Sequence, residues 1–250
     1  MKTKISYGIA LCRYNILGYY EILLVKKQYS YHYIKLLFGE YKSITDLDNI
    51  MKNLTYEEKK LIYNGDFKQM WNKFIYSNNF NNLNLYYKKK KIYENNYLKL
   101  NYNIDLNTHC FDNLWELPKG RPKYNNEKPL NTAIREFNEE TNIDINNINI
   151  IYNAHITTSL IDDNIIFKNK YYLANIKQNL PSIIKSDILK PVFKNIFFNK
   201  EISDIKWFKI NDIKNLNINS KYKKRLLREF KYIINKYKKI RKKLNKELDI

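Results

Sequence analysis

Cysteines and long apolar runs are scarce in this chain of 250 residues, and each scarcity excludes a class of protein. Only Cys12 and Cys110 occur, without the spacing of a metal site or a disulfide framework, so we expect free thiols in a reducing compartment. No apolar run reaches the roughly 20 residues that span a bilayer. Arg13 interrupts the apolar N-terminal stretch, and no small-residue cleavage site follows, which favours a first strand over a signal peptide. We therefore expect a soluble, intracellular protein.

Acidic residues are also few, because 45 Lys and Arg stand against 25 Asp and Glu and give a formal net charge of +20. Residues 221–250 hold thirteen basic and three acidic residues and so carry half of this charge. The bias favours a polyanionic partner, which could be a nucleic acid, a highly phosphorylated small molecule or an acidic membrane surface. Apolar residues recur at helical spacing in 220–247, so an amphipathic helix with a solvated basic face is the alternative.

The stretch 114–143 carries the most informative pattern in the chain. It predicts a short strand, a loop that reverses at Gly120, and a helix from Pro129 to Thr141. Residues three and four apart share one face of a helix, so three carboxylates project to the same side. These are Glu136, Glu139 and Glu140.

Three carboxylates on one helical face repel each other by roughly 0.2–0.5 kcal/mol per pair. Arg135 lies beside them, but one positive charge does not neutralise three negative ones. A hard divalent cation would neutralise them, since Mg²⁺ and Mn²⁺ take oxygen ligands from carboxylates and substrate phosphates. The alternative is an acidic face that is simply solvated.

These residues resemble the Nudix box, which is a Gly, five residues, a Glu, seven residues, and then Arg-Glu-apolar-x-Glu-Glu-x-Gly-apolar. Gly120, Glu127 and the run 135–143 match it. The loop between Gly120 and Glu127 holds six residues instead of five, an insertion that leaves the helix unchanged. Asn142 replaces the last glycine at a position where we expect the left-handed conformation, which Asn tolerates next best after Gly.

The resemblance implies an α/β fold, the Nudix α/β/α sandwich, and hydrolysis of a nucleoside diphosphate linked to another group. It makes Glu136, Glu139 and Glu140 catalytic ligands of Mg²⁺ or Mn²⁺, with Gly120 contributing its backbone carbonyl. It also implies a supporting ion pair between Glu127 and Arg135. We expect Glu201, at the start of the Glu-Ile-Ser-Asp-Ile-Lys-Trp-Phe segment, to be a further ligand or the general base; an exposed strand-end Glu is the alternative.

The chain order predicts a Nudix domain interrupted by an insertion. Residues 1–28 give the first part, 29–109 an inserted, mostly helical subdomain, and 110–250 the second part with the basic C-terminal helix. The interval 29–109 is too long for a loop in a small α/β domain. Its Thr55-Tyr-Glu-Glu58 segment is typical of a capping box that opens a helix.

The remaining pattern predicts strands, a hairpin and a short helix. We expect strands at 4–13, 21–27 and 201–210, and a hairpin of 148–159 with 165–176. The second strand has a continuous apolar run, which is typical of a strand covered on both faces. Residues 177–199 are expected to form a connection, and Asn211-Asp212 could cap a short turn of helix.

The insertion and the segment Trp115-Glu-Leu-Pro-Lys-Gly120 resemble the Nudix decapping proteins of poxviruses, African swine fever virus and other large DNA viruses. This resemblance implies capped mRNA as substrate, 7-methyl-GDP and 5′-monophosphate RNA as products, and the host cytoplasm as location if the protein is viral. Small polyphosphates, such as diphosphoinositol or dinucleoside polyphosphates, remain an alternative substrate, and an RNA-binding protein with a vestigial site remains an alternative class. We expect the RNA body to contact Lys223, Lys224, Arg225, Arg228, Lys231, Lys238, Lys239 and Arg241.

Overall fold

The structure is a computed structural model, and it describes residues 1–41, 43–74, 81–96, 106, 111–112, 114–162, 165–177 and 201–248. Of the expected connection 177–199, only residue 177 is among the described residues. The expected boundary between residues 109 and 110 lies wholly outside them. The chain divides into two compact units. The first comprises 1–26, 115–216 and 220–250, and the second comprises 27–114 and 217–219.

The first unit is built on one seven-stranded mixed sheet. The strands are β1 (Lys2–Tyr14), β2 (Tyr20–Lys27), β3 (Trp115–Glu116), β4 (Lys119–Gly120), β5 (Ile148–Asp162), β6 (Ile165–Ile176) and β7 (Ile202–Phe208). They follow the order β3-β2-β1-β6-β5 in the sheet, with β4 paired to β1 and β7 paired to β2.

Strand β1 organises this sheet, because it pairs with three other strands. It runs parallel to β6 from the pair Lys2–Ile165 to the pair Cys12–Asn175. It runs antiparallel to β2 at its C-terminal end and to β4 near its middle. The predicted hairpin of β5 and β6 is confirmed, with Asp162 opposite Ile165.

Helices cover both faces of the sheet, which confirms the predicted α/β/α sandwich. The apolar run of β2 alternates between the two faces, so the expectation that this strand is covered on both sides is also confirmed. Helix α6 (Pro129–Thr141) packs on one face, and the C-terminal helix α8 (Ser220–Leu248) packs on the other. One core combines Ala10, Cys12, Ile22 and Leu24 with Leu226, Phe230, Ile233 and Tyr237. The other combines Ile9, Leu11, Leu23 and Val25 with Ala133 and Phe137.

The predicted last strand and the short helix after it are both present, but two details of these predictions were wrong. The last strand ends at Phe208 and not at 210, because helix α7 (Ile210–Lys214) begins there. Lys209, not the Asn211-Asp212 pair, is the residue before the first turn of α7. Asp212 instead reaches back and accepts the backbone N–H of Lys209 at 2.9 Å, which satisfies a donor at the helix start.

The second unit is helical in its described part, with one apolar core. Its helices are α1 (Tyr31–Phe38), α2 (Ile44–Lys52), α3 (Tyr56–Asn64), α4 (Phe67–Phe74) and α5 (Asn81–Asn96). The predicted capping box of Thr55 and Glu58 is confirmed. Buried Glu58 also accepts the N–H and the hydroxyl of Ser30, so one carboxylate joins the starts of α1 and α3.

No helix in the part of the chain that the structure describes is both long enough and apolar enough to cross a bilayer.

Candidate active site

The loop that carries Gly120 is attached to the central strand. Strand β4 pairs with β1, with Lys119 opposite Gly8 and Gly120 opposite Tyr7. Glu116 of β3 is buried and forms an ion pair with the ammonium group of Lys119. A buried charge that is paired in this way holds both partners in place, because breaking the pair would leave one charge unpaired.

Glu140 lies inward on α6, with 3% of its surface exposed. Its Oε2 accepts the backbone N–H of Lys119 at 2.9 Å. This bond joins the last turn of α6 to β4. The deepest of the three predicted carboxylates is therefore connected directly to the glycine-bearing loop.

Gly120 faces the carboxylate of Glu136 without a side chain between them. A Cβ atom at position 120 would overlap the carboxylate carbon and both oxygens of Glu136. The structure therefore brings together the two ends of the predicted motif, the loop glycine and the first helical glutamate. A glycine is needed at 120 because of this close approach.

Glu136 is half-buried, and its carboxylate lies near two other carboxylates. Burial raises its pKa above the usual value, and the negative charges of Glu139 and Glu201 raise it further. Hydrogen bonding and charge from Arg135 act in the opposite direction. Glu201, which is exposed just before β7, is the weakest of the influences that raise the pKa of Glu136.

Arg135 connects the acidic helix to the loop before it. Its Nε donates to Glu127 Oε1 at 2.8 Å and its Nη2 donates to Glu127 Oε2 at 3.1 Å, so the ion pair is bidentate. Hydrogen bonding to Arg135 and to the backbone N–H of Lys123 lowers the pKa of Glu127 to about 2. A further bond from Nη2 to the carbonyl of Arg121 extends the contact along the loop.

The same arginine also contacts two of the helical carboxylates. Its Nη1 donates to Glu136 Oε1 at 2.7 Å and to Glu139 Oε2 at 3.1 Å. Among the described residues, no three acidic, His or Cys side chains are arranged around a common point as in a ready-made metal site. The arrangement places a guanidinium group between Glu136 and Glu139.

The donor chemistry nevertheless fits a divalent cation. Carboxylate and carbonyl oxygens are the ligands that hard ions such as Mg²⁺ and Mn²⁺ prefer. The missing Cβ at Gly120 leaves the Glu136 carboxylate in contact with the loop backbone. The like charges around Glu136 would be relieved by a bound cation.

The predicted RNA-contacting residues lie on α8, whose opposite side is buried in the core. Helix α8 is therefore the amphipathic helix with a solvated basic face that was the alternative to a polyanion-binding surface. Its basic face is exposed and so does not rule out such binding. Lys224, Arg228, Lys231, Lys238 and Lys239 are exposed. Lys223, Arg225 and Arg241 are half-buried, and the two arginines lie over the rings of Tyr222 and Tyr14.

The ion pair of Glu116 and Lys119 was missed by sequence reasoning. Both residues lie in the segment Trp115-Glu-Leu-Pro-Lys-Gly120. Their opposite charges, three residues apart, could have indicated an ion pair. The pairing depends on two short strands and a turn, however, and not on a helix. The usual i, i+3 argument for helical neighbours therefore gave no reason to expect it.

The NUDIX domain family model matches residues 107–230. The mRNA-decapping protein g5R of African swine fever virus, isolate Pig/Kenya/KEN-50/1950, is 32% identical over 188 residues, covering 72% of this chain and 76% of the viral protein. The same protein from isolate Warthog/Namibia/Wart80/1980 is 31% identical with the same coverage. The chain belongs to the Nudix family. Within that family, these findings support the class of pyrophosphohydrolases, whose members generally use divalent metal ions.

Solved structures give a more distant likeness. The binary complex of C. elegans Ap4A hydrolase has a TM-score of 0.42 and 15% identity, covering 92% of this chain and 97% of that one. A Nudix hydrolase from M. smegmatis, RenU, has a TM-score of 0.40 and 7% identity, covering 92% and 85%.

Proposed function

We propose that this chain is a metal-dependent mRNA-decapping hydrolase. The observation that carries the proposal is the close approach of Gly120 to the carboxylate of Glu136, on a helix that also bears Glu139 and Glu140, in a chain whose viral relatives are named mRNA-decapping proteins. Water would be added across the cap's triphosphate bridge. The products would be 7-methyl-GDP and an RNA with a 5′-monophosphate.

Glu136, Glu139 and Glu140, with the carbonyl of Gly120, would hold the ion, which is Mg²⁺ or Mn²⁺ in this proposal, and Glu201 would be either a further ligand or the general base. When bound, such an ion neutralises phosphate charge and lowers the pKa of a coordinated water. The buried position of Glu140 and its bond to Lys119 N–H favour a ligand that is already oriented. A preorganised ligand loses less freedom on binding than a mobile one.

Glu201 is the candidate general base in this scheme. It is exposed, so water reaches it, and it lies near enough to Glu136 to affect the pKa of that residue. A positioned base would contribute about 10²–10⁴-fold to the rate. Glu127 and Arg135 keep the loop on the helix, and Glu116 keeps Lys119 in position, so these residues support the site without taking part in bond cleavage.

The RNA body would lie along basic surface, including the exposed face of α8. The charge of 221–250 and the solvent-facing lysines and arginines support this part of the proposal. We also propose that residues 29–109 form an inserted subdomain of the Nudix chain and add basic surface. Phosphate contacts of this kind give affinity that depends on salt and not on sequence.

Product analysis tests the proposal. The protein would be incubated with RNA carrying a ³²P-labelled cap, with dinucleoside polyphosphates and with diphosphoinositol polyphosphates at equal concentration. Faster release of labelled 7-methyl-GDP than of either small-molecule product supports decapping. The opposite ranking would favour a small polyphosphate as substrate, and binding of capped RNA without any product would favour an RNA-binding protein with an inactive site.

A further inference from the structure

The turn between β1 and β2 exposes apolar side chains at its tip. Ile16 is 102% exposed and Leu17 is 73% exposed, and the flanking Tyr14 and Tyr19 are each about half exposed. Single exposed apolar residues are normal on a protein surface, but here four large ones lie within six positions of one turn, and we call this group the patch. The proposed catalytic site does not include these residues.

The backbone of the turn is internally hydrogen-bonded. The side-chain oxygen of Asn15 accepts the N–H groups of Leu17 at 3.1 Å and of Tyr19 at 2.9 Å. The Asn15 N–H donates to the Tyr19 carbonyl, and Gly18 N–H donates to the Asn15 carbonyl. Gly18 has a φ of 82°, a conformation that glycine adopts at little cost. The turn is therefore preformed, and its satisfied polar groups lower the cost of contact with an apolar phase.

Three cations surround the aromatic base of the turn. Arg241 lies 4.5 Å from the ring centre of Tyr14, Lys238 lies 4.8 Å from that of Tyr20, and Lys209 lies 5.2 Å from that of Tyr19. These cation–π contacts hold the positive groups close to the exposed apolar residues. The patch therefore combines an apolar tip with a positively charged collar.

The nearby carboxylate does not cancel this charge. Glu21 on β2 is buried, and its Oε2 accepts the Nε of Arg13 at 2.6 Å. Its Oε1 accepts the side-chain N–H of Asn15 at 3.0 Å, so the carboxylate supports the turn. Residues 14–20 contain no acidic residue at all.

We propose that this hairpin is a peripheral membrane-binding site, in which Ile16 and Leu17 enter the headgroup region of an anionic bilayer. Arg241, Lys238 and Lys209 contact the lipid phosphates around it. Interfacial binding of this kind scales with the buried apolar area and with attraction to anionic lipids. Single-stranded RNA would account for the tyrosines and the cations, but an aliphatic pair that is largely exposed to solvent adds nothing to phosphate recognition. The inference does not depend on the proposed decapping activity.

Vesicle co-sedimentation of the full chain tests the site. The vesicles are phosphatidylcholine alone, and phosphatidylcholine with about a third phosphatidylserine. We expect binding to the anionic vesicles and little to the neutral ones. The double variant I16S/L17S should lose about tenfold or more of the anionic-vesicle affinity, because the buried apolar area is removed while the charge is kept. Ile161→Ser, at a site 62% exposed on β5, is the matched control and should bind as the unmodified protein does.

Two further measurements check that the double variant keeps its fold and its carboxylate site. Thermal unfolding and hydrolysis of a short cap analogue should be unchanged in I16S/L17S, since neither residue touches the carboxylate site or the core. Unmodified protein that ignores anionic vesicles, or a double variant that binds them equally well, would overturn the proposal. A double variant that binds vesicles normally and capped RNA poorly would assign the patch to RNA instead.

Discussion

The carboxylate of Glu136 lies where a side chain at position 120 would have to be. This close approach joins the loop at the start of the Nudix motif to the helix at its end. Gly120 comes from β4, which is paired with the central strand β1, and Glu136 comes from α6, which packs on the same sheet. The relative position of these two residues is therefore set by the packing of the domain and not by the loop alone.

Gly120→Ala should reduce hydrolysis while leaving the fold intact. The added methyl group would displace a flexible carboxylate and not backbone, so the melting temperature should change little. The displaced Glu136 would no longer lie against the loop, and we expect turnover to fall by about tenfold or more. Tyr124→Ala, an exposed position in the same loop, is the control. Unaltered turnover in Gly120→Ala would show that this contact has no role in the reaction.

Glu127→Gln should destabilise the protein in a pH-dependent way. Folding lowers the pKa of Glu127 from 4.5 to about 2, so the ionised carboxylate contributes stability that is complete above about pH 4.5. This contribution is lost as the pH falls toward 2. Thermal unfolding of both proteins between pH 3 and 7 should therefore give a difference that is constant above pH 5 and shrinks in acid. A difference that grows in acid would contradict the assignment of the Glu127–Arg135 pair.

Glu136→Gln should abolish the stabilisation of the protein by divalent ions. Burial and like charges raise the pKa of Glu136, so the metal-free fold loses stability as the pH rises through that pKa. A bound ion relieves this loss of stability. At an ion concentration a hundredfold above its Kd, binding should add about 2.7 kcal/mol to the free energy of unfolding, or roughly 5–11 °C to the Tm. We expect this shift in Mn²⁺ for the unmodified protein and little of it for Glu136→Gln.

Calorimetric unfolding of Glu136→Gln and the unmodified protein in EDTA measures their stability without metal. Without metal, the Gln variant should be at least as stable as the unmodified protein at pH 7, because an unfavourable charge has been removed. An equal Mn²⁺ shift in the two proteins would place the ion elsewhere.

Neutralising exposed residues of α8 should weaken binding of capped RNA and reduce its salt dependence. Deletion of the helix is not a useful experiment, since Leu226, Phe230 and Ile233 belong to the core. The triple change of Lys224, Arg228 and Lys231 to Gln keeps that core, as all three are exposed. If each contacts a phosphate, the slope of log K against log salt should fall by about 2. Gln changes at Lys2, Lys168 and Lys206, three exposed lysines on strands β1, β6 and β7, serve as the comparison for a general charge effect.

Much of the site was predictable because its pattern is local. The bounds of α6 and the left-handed Asn142, with a φ of 54°, follow from helical spacing and from the motif. The sequence also predicted that β2 is buried on both faces, because a strand with a continuous apolar run has no polar face. In each of these cases, neighbouring positions in the chain carry the information.

Other features depend on contacts between distant segments. The single guanidinium of Arg135 bonds to Glu127, Glu136 and Glu139, and only the packed loop brings these groups within reach. The β5 irregularity between Ile150 and His155, where Asn153 has a φ of 63°, has no sequence signal of its own. The roles of the site residues and the extent of the inserted subdomain stay predictions.

Single-turnover cleavage of cap-labelled RNA by Glu140→Gln tests the central claim most directly. The amide oxygen can still accept the Lys119 N–H, so the variant removes the charge while keeping the shape of this buried position. Because the variant loses a charged ligand of the ion, we predict a fall in rate of about a hundredfold or more in saturating Mn²⁺, with Glu57→Gln as an exposed control. A folded Glu140→Gln protein that releases 7-methyl-GDP at the unmodified rate would contradict the account.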